Sequence, residues 1–68
     1  MEYTQHAHDR MTERGITTGN VEWCLAANNF EYRDGGRRYR RRVRRDVVMF
    51  VITSADGTRV VSAWIRYY

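Results

Sequence analysis

At 68 residues the chain has room for one domain, whose core is too small to be more than marginally stable without self-association or a bound partner. All 12 basic residues are arginine, set against 8 acidic ones for a net charge of +4, a balance that favours polyanionic partners. One cysteine excludes an internal disulfide, one thiol with two histidines falls short of a zinc ligand set, and no apolar run reaches the length of a membrane span.

The opening "MEYTQHAHDR" has neither the basic start nor the apolar run of a signal peptide; with a lone cysteine, this predicts a protein that works in the cytoplasm. Thr4 is placed to cap a first helix of about ten residues, and Gly15 stands where a left-handed residue would stop it. Ile16 precedes Thr17, a second N-cap, and Val21 falls four residues later, so Ile16 and Val21 occupy the two positions of a hydrophobic staple. Val21, Cys24 and Leu25 continue the apolar stripe with Trp23 on its flank, until Asn28 and Asn29 end it. Two short antiparallel helices follow.

From Phe30 onward the pattern is that of strands. "FEYRDGGRRYRRRV" predicts two strands around a turn at Asp34, Gly35 and Gly36. "DVVMFVITS" is apolar on both faces and hence central, "ADGT" is a hairpin signal, and "RVVSAWIRYY" closes the chain. The expected fold is α+β: a single compact domain over residues 1–68, with two N-terminal helices on one face of a roughly four-stranded antiparallel sheet.

Arginines crowd the segment Arg37–Arg45, interrupted only by Tyr39 and Val43. As a strand, it turns Arg38, Arg40, Arg42 and Arg44 to one face, which repels itself unless phosphates or acidic side chains lie across it. The plainer alternative is an edge strand whose charges prevent edge-to-edge pairing. On the closing strand, alternation sends Arg59, Val61, Ala63, Ile65 and Tyr67 toward the helices and Val60, Ser62, Trp64, Arg66 and Tyr68 to the opposite face. Aromatic planes beside a cation and a hydroxyl suit single-stranded nucleic acid; equally, Trp64 and Tyr68 suit a small second core or a homodimer contact. On the first helix, His6, Arg10 and Arg14 fall within an arc of roughly 80° beside Ala7 and Met11, with His8 pointing away. An imidazole and two guanidiniums on one rim suggest a shared anion.

"HAHDRMTERGITTGNVEWCL" resembles the opening of a set of small bacterial domains marked by a His, an Arg four residues on, then Met, an Arg-Gly-Ile turn and a second helix with Val. Here these are His6, Arg10, Met11, Arg14, Gly15, Ile16 and Val21. Such domains are similar to the BrnT and RelE types of toxin ribonuclease and the wider barnase-EndoU-colicin-RelE group, which place helices before a four-stranded antiparallel sheet; "VVSAWIRYY" resembles their closing strand. The resemblance implies metal-independent RNA cleavage by attack of a ribose 2′-hydroxyl on the adjacent phosphorus. His6 would be base or acid, since imidazole ordinarily titrates near neutrality. Arg10 and Arg14, with Arg42 or a neighbour, would stabilise the pentacoordinate phosphorus, and Tyr68 or Ser62 would carry the second proton or bond phosphate. Lysine, frequent in RelE-type sites, is absent, so arginine would supply all the positive charge. No cofactor is expected, and the scattered carboxylates do not suggest a two-metal site. The expected partners are RNA and a protein antitoxin with an acidic surface. Two other functions fit the same residues: a non-catalytic nucleic-acid binder, and a basic, phage-encoded interaction protein that docks on an acidic host protein.

Overall fold

The computed structural model describes residues 1–68 and runs β1 (Glu2–Tyr3), α1 (Gln5–Arg14), α2 (Thr18–Ala26), β2 (Phe30–Arg33), β3 (Gly36–Arg44), β4 (Val47–Ser54) and β5 (Arg59–Tyr67). Local chemistry sets the helix ends. Thr4 Oγ1 accepts the Ala7 N–H at 3.0 Å to start α1. Gly15, at φ 65°, ends it, and the Gly15 and Ile16 amides turn back onto the Thr12 and Met11 carbonyls. Thr17 and Asn20 cap α2 reciprocally, each side chain accepting the other's backbone N–H at 3.1 and 2.9 Å. Ile16 and Val21 meet in the core as a staple requires.

The strand order is β1-β5-β4-β3-β2. Three of the four pairings are antiparallel, but β1 runs parallel to β5 through Glu2↔Arg59 and Tyr3↔Val60. The sheet is therefore five-stranded and mixed, a correction to the four antiparallel strands expected. A two-residue strand carries no alternation to read. It forms because the Thr4 N–H, just ahead of α1, bonds the Val60 carbonyl at 3.0 Å and holds the preceding residues along β5. At the β2–β3 turn Asp34 and Gly35 both have positive φ, the type I′ geometry that matches strand twist.

β4 is the middle strand, and Val47 through Val51 are all buried, as an apolar segment on both faces predicts. Both helices lie on one side: α1 over β5, α2 over β3 and β4. Ala7, Met11, Ile16, Val21 and Cys24 pack there against Tyr39, Met49, Val51, Val60 and Ala63, the larger side chains each contributing about 2 kcal/mol by burial.

Two register shifts change which way side chains point. On β5 the partner of Ile52 is Ser62 but that of Thr53 is Val60, leaving Val61 as the extra residue. Val60 thereby turns to the helix side and is 0% exposed, a correction to strict alternation. On β3 the shift between Arg42 and Arg44 takes Arg44 out of the row that Arg38, Arg40 and Arg42 share. No helix is long and apolar enough to cross a membrane.

Candidate nucleic-acid interface

The sheet face away from the helices is organised by cross-strand register. Glu31, Arg38, Ile52 and Ser62 form one row; Arg40, Phe50 and Trp64 the next; Arg42, Val48 and Arg66 the third. In the middle row the Phe50 and Trp64 rings stack at 5.1 Å with 10° between planes. The Arg38 and Arg40 guanidiniums stand 5.6 and 5.9 Å from the Phe50 centroid. No helix covers this face, yet Phe50 is only 5% exposed and Val48 4%. Indole and arginine stems cover them, so Trp64 completes a small second core while the charged heads remain in water.

The arginine run divides by direction. Arg37 turns to the helix side, lies 4.7 Å from the Phe30 centroid and donates to the Ala55 carbonyl and the Tyr39 hydroxyl. Arg41 lies 4.1 Å over Trp23 and donates to the Trp23 carbonyl at 2.6 Å. These two are occupied in holding the fold. On the open face, Arg38 pairs with Glu31 at 2.6 Å, whereas Arg40, Arg42 and Arg66 have no acidic partner in the chain. A concavity of about 480 Å³ runs along Arg38, Arg40, Arg41 and Arg42 beside Asn29 and Phe30. An unpaired guanidinium held over a buried aromatic ring, as Arg40 is over Phe50, presents bidentate donors at little ordering cost.

The residues expected to do chemistry lie elsewhere. His6 is exposed on α1. Arg10 pairs with Glu13 at 2.7 Å, and Arg14 donates to the Ala63 carbonyl at 2.8 Å. Tyr68 follows β5 and its N–H bonds the Asp46 carbonyl at 2.8 Å. Thr4, two residues before His6, bonds the Val60 and Val61 carbonyls, whereas Tyr68 stands seven residues further along β5, about 23 Å at strand rise. The fold thus gathers Arg38, Arg40, Arg42, Ser62, Trp64 and Arg66 on one face. It leaves His6 and Arg10 on α1 across the sheet, Arg14 at the β5 edge in a depression shared with Trp64, Ile65 and Tyr67, and Tyr68 at the far end.

No known protein family, curated protein or solved structure matches this chain. Other groups with reactive potential are quiet. Burial pushes the Cys24 thiol up to about 11, against a smaller opposing pull from Arg41, so it stays protonated and donates to the Met49 carbonyl at 3.6 Å. Burial and the Glu22 charge likewise raise the Tyr3 phenol above its ordinary value. No three His, Cys, Asp or Glu side chains converge to hold a metal ion. Phe50, Ile52, Glu31 and Arg33 also belong to the open face, and sequence reading passed over them. The signal was available for Phe50: a central strand apolar on both faces must place one large residue beneath the arginines of its neighbour.

Proposed function

We propose that the chain binds single-stranded RNA across the open sheet face. The observation that carries this reading is the Arg40–Phe50–Trp64 row, with the unpaired Arg42 and Arg66 beside it. Guanidiniums attract the backbone and an indole offers a base its π-face, a combination that tolerates many sequences. The order of two helices before the four antiparallel strands supports a RelE/BrnT-like variant of the α+β plan, in which an antitoxin with an acidic surface would cover the same arginines. The test is anisotropy of a labelled single-stranded RNA, wild type beside Trp64→Ala and Arg42→Gln. Weaker binding in both, with unchanged melting of Arg42→Gln, supports the reading; binding equal to wild type in both refutes it.

A second reading, metal-independent ribonuclease, has one observation in its favour. Of the residues that carry the resemblance, Met11, Ile16 and Val21 are core, Gly15 is a cap, and Arg10 and Arg14 are bonded within the chain. His6 alone has no such role. As acid or base it would need a second proton carrier other than the distant Tyr68. Incubation of RNA in excess EDTA separates the readings: cleavage that leaves 2′,3′-cyclic phosphate and disappears in His6→Ala supports the enzyme, and binding without cleavage leaves the binding module.

A further inference from the structure

Gly36 lies on the open face between Arg33 of β2 and Ser54 of β4. A Cβ there would run into the Thr53 carbonyl oxygen, so the position carries no side chain, and a depression of about 410 Å³ opens around it. Ile52 and Val61 give it apolar lining, Trp64 bounds it on the β5 side, and Arg33 and Arg38 bound it toward β2 and β3. The strands that carry Trp64 and Arg38 are two spacings apart, about 10 Å, which is room for a flat ring and one phosphate.

Asp34 is the depression's own carboxylate, and a second carboxylate, from outside it, already holds the two guanidiniums on its rim. The Glu31 carboxylate sits 2.6 Å from the Arg38 guanidinium and 3.7 Å from that of Arg33. Two guanidiniums converging on one carboxylate make the arrangement a phosphate takes. All three side chains are partly in water, where such a pair contributes little, so exchange of carboxylate for phosphate costs little.

We infer that this depression is a nucleotide subsite: one base packs against Trp64 over Ile52 and Val61, and its phosphate displaces Glu31 from Arg33 and Arg38. The inference rests on the RNA-binding reading and adds two things to it. It gives the bound strand a fixed register at the β2–β3 hairpin end of the sheet, and it makes Glu31 a built-in competitor that sets the affinity.

The probe is adenosine 5′-monophosphate, read by Trp64 fluorescence in a Trp23→Phe background, with adenosine and ribose 5-phosphate as the two halves of the ligand. The nucleotide should quench Trp64 and bind more tightly than either half. Glu31→Gln should raise its affinity about two- to fivefold by removing the competing charge, and Arg33→Gln should lower it. Both positions are well exposed, so the fold tolerates both changes. If RNA binds while nucleotide affinity is indifferent to Glu31 and Arg33, the subsite is wrong and the RNA-binding face stands. If neither RNA nor nucleotide binds, both fall.

Discussion

Salt dependence offers a quantitative check on the open face. Three of its guanidiniums, those of Arg40, Arg42 and Arg66, have no acidic partner, while Arg38 is held by Glu31. If each of the three neutralises one phosphate of a single strand, log K should fall against log salt with a slope of about −2, at about 0.7 per contact. Raising monovalent salt from about 50 to 200 mM then weakens binding about twentyfold. In Arg40→Gln/Arg42→Gln one contact remains, the slope drops to about −0.7, and the same salt step costs only about threefold. Glutamine keeps part of the stem over Phe50 and limits loss of packing. The assay is anisotropy titration at four salt concentrations, with Arg44→Gln/Arg45→Gln as the control pair next to the β3–β4 turn. An unchanged slope in the Arg40/Arg42 pair, or a larger change in the control pair, would refute the assignment of phosphate contacts to these rows.

Three further outcomes follow from the geometry. Gly36→Ala forces a methyl against the Thr53 carbonyl, and the strain should cost about 2 kcal/mol, seen as a melting temperature lower by about 10 °C; an unchanged melt would mean that β4 yields there. Arg14→Gln should cost about 1 kcal/mol through its bond to the Ala63 carbonyl and leave RNA affinity intact. A folded variant that no longer binds RNA would instead put Arg14 in the interface. Donation from the Ser54 and Thr58 hydroxyls and the Thr58 amide holds the Asp56 carboxyl down to about 2. Because its pKa is depressed in the folded state, the stabilisation is present above about pH 4 and fades as pH falls toward 2. Asp56→Asn should therefore melt earlier than wild type near neutral pH, with the gap closing by about pH 2. A gap constant with pH would assign the effect to something other than the carboxylate charge.

What sequence reading recovered was local. Thr4, Gly15, Thr17 and the Ile16–Val21 pair act within a few residues of themselves, so their capping and staple roles are readable from spacing, and the structure uses each in that role. What it missed depends on distant pairing. β1 exists through contacts of Glu2 and Tyr3 with residues at the other end of the chain. The extra residue at Val61 and the shift before Arg44 reverse facing without any change in the apolar pattern, so strict alternation puts Val60 on the wrong side and Arg44 in a row it leaves. The candidate site shows the same division. A strand with alternating arginines was visible as such, but the occupation of Arg37 and Arg41 by Phe30 and Trp23 depends on tertiary contacts. On α1, helical spacing correctly put His6, Arg10 and Arg14 on one side. It could not reveal that Glu13 and the Ala63 carbonyl already occupy the two guanidiniums.

The most direct measurement is a nuclear magnetic resonance titration of the ¹⁵N-labelled protein with a short single-stranded oligoribonucleotide, following the arginine Nε–H and the two indole N–H signals. Binding across the open face predicts that Arg38, Arg40, Arg42, Arg66 and the Trp64 indole move together, while Arg10, Arg14 and the Trp23 indole stay in place. Movement confined to α1, with the Trp64 indole unmoved, would contradict the account.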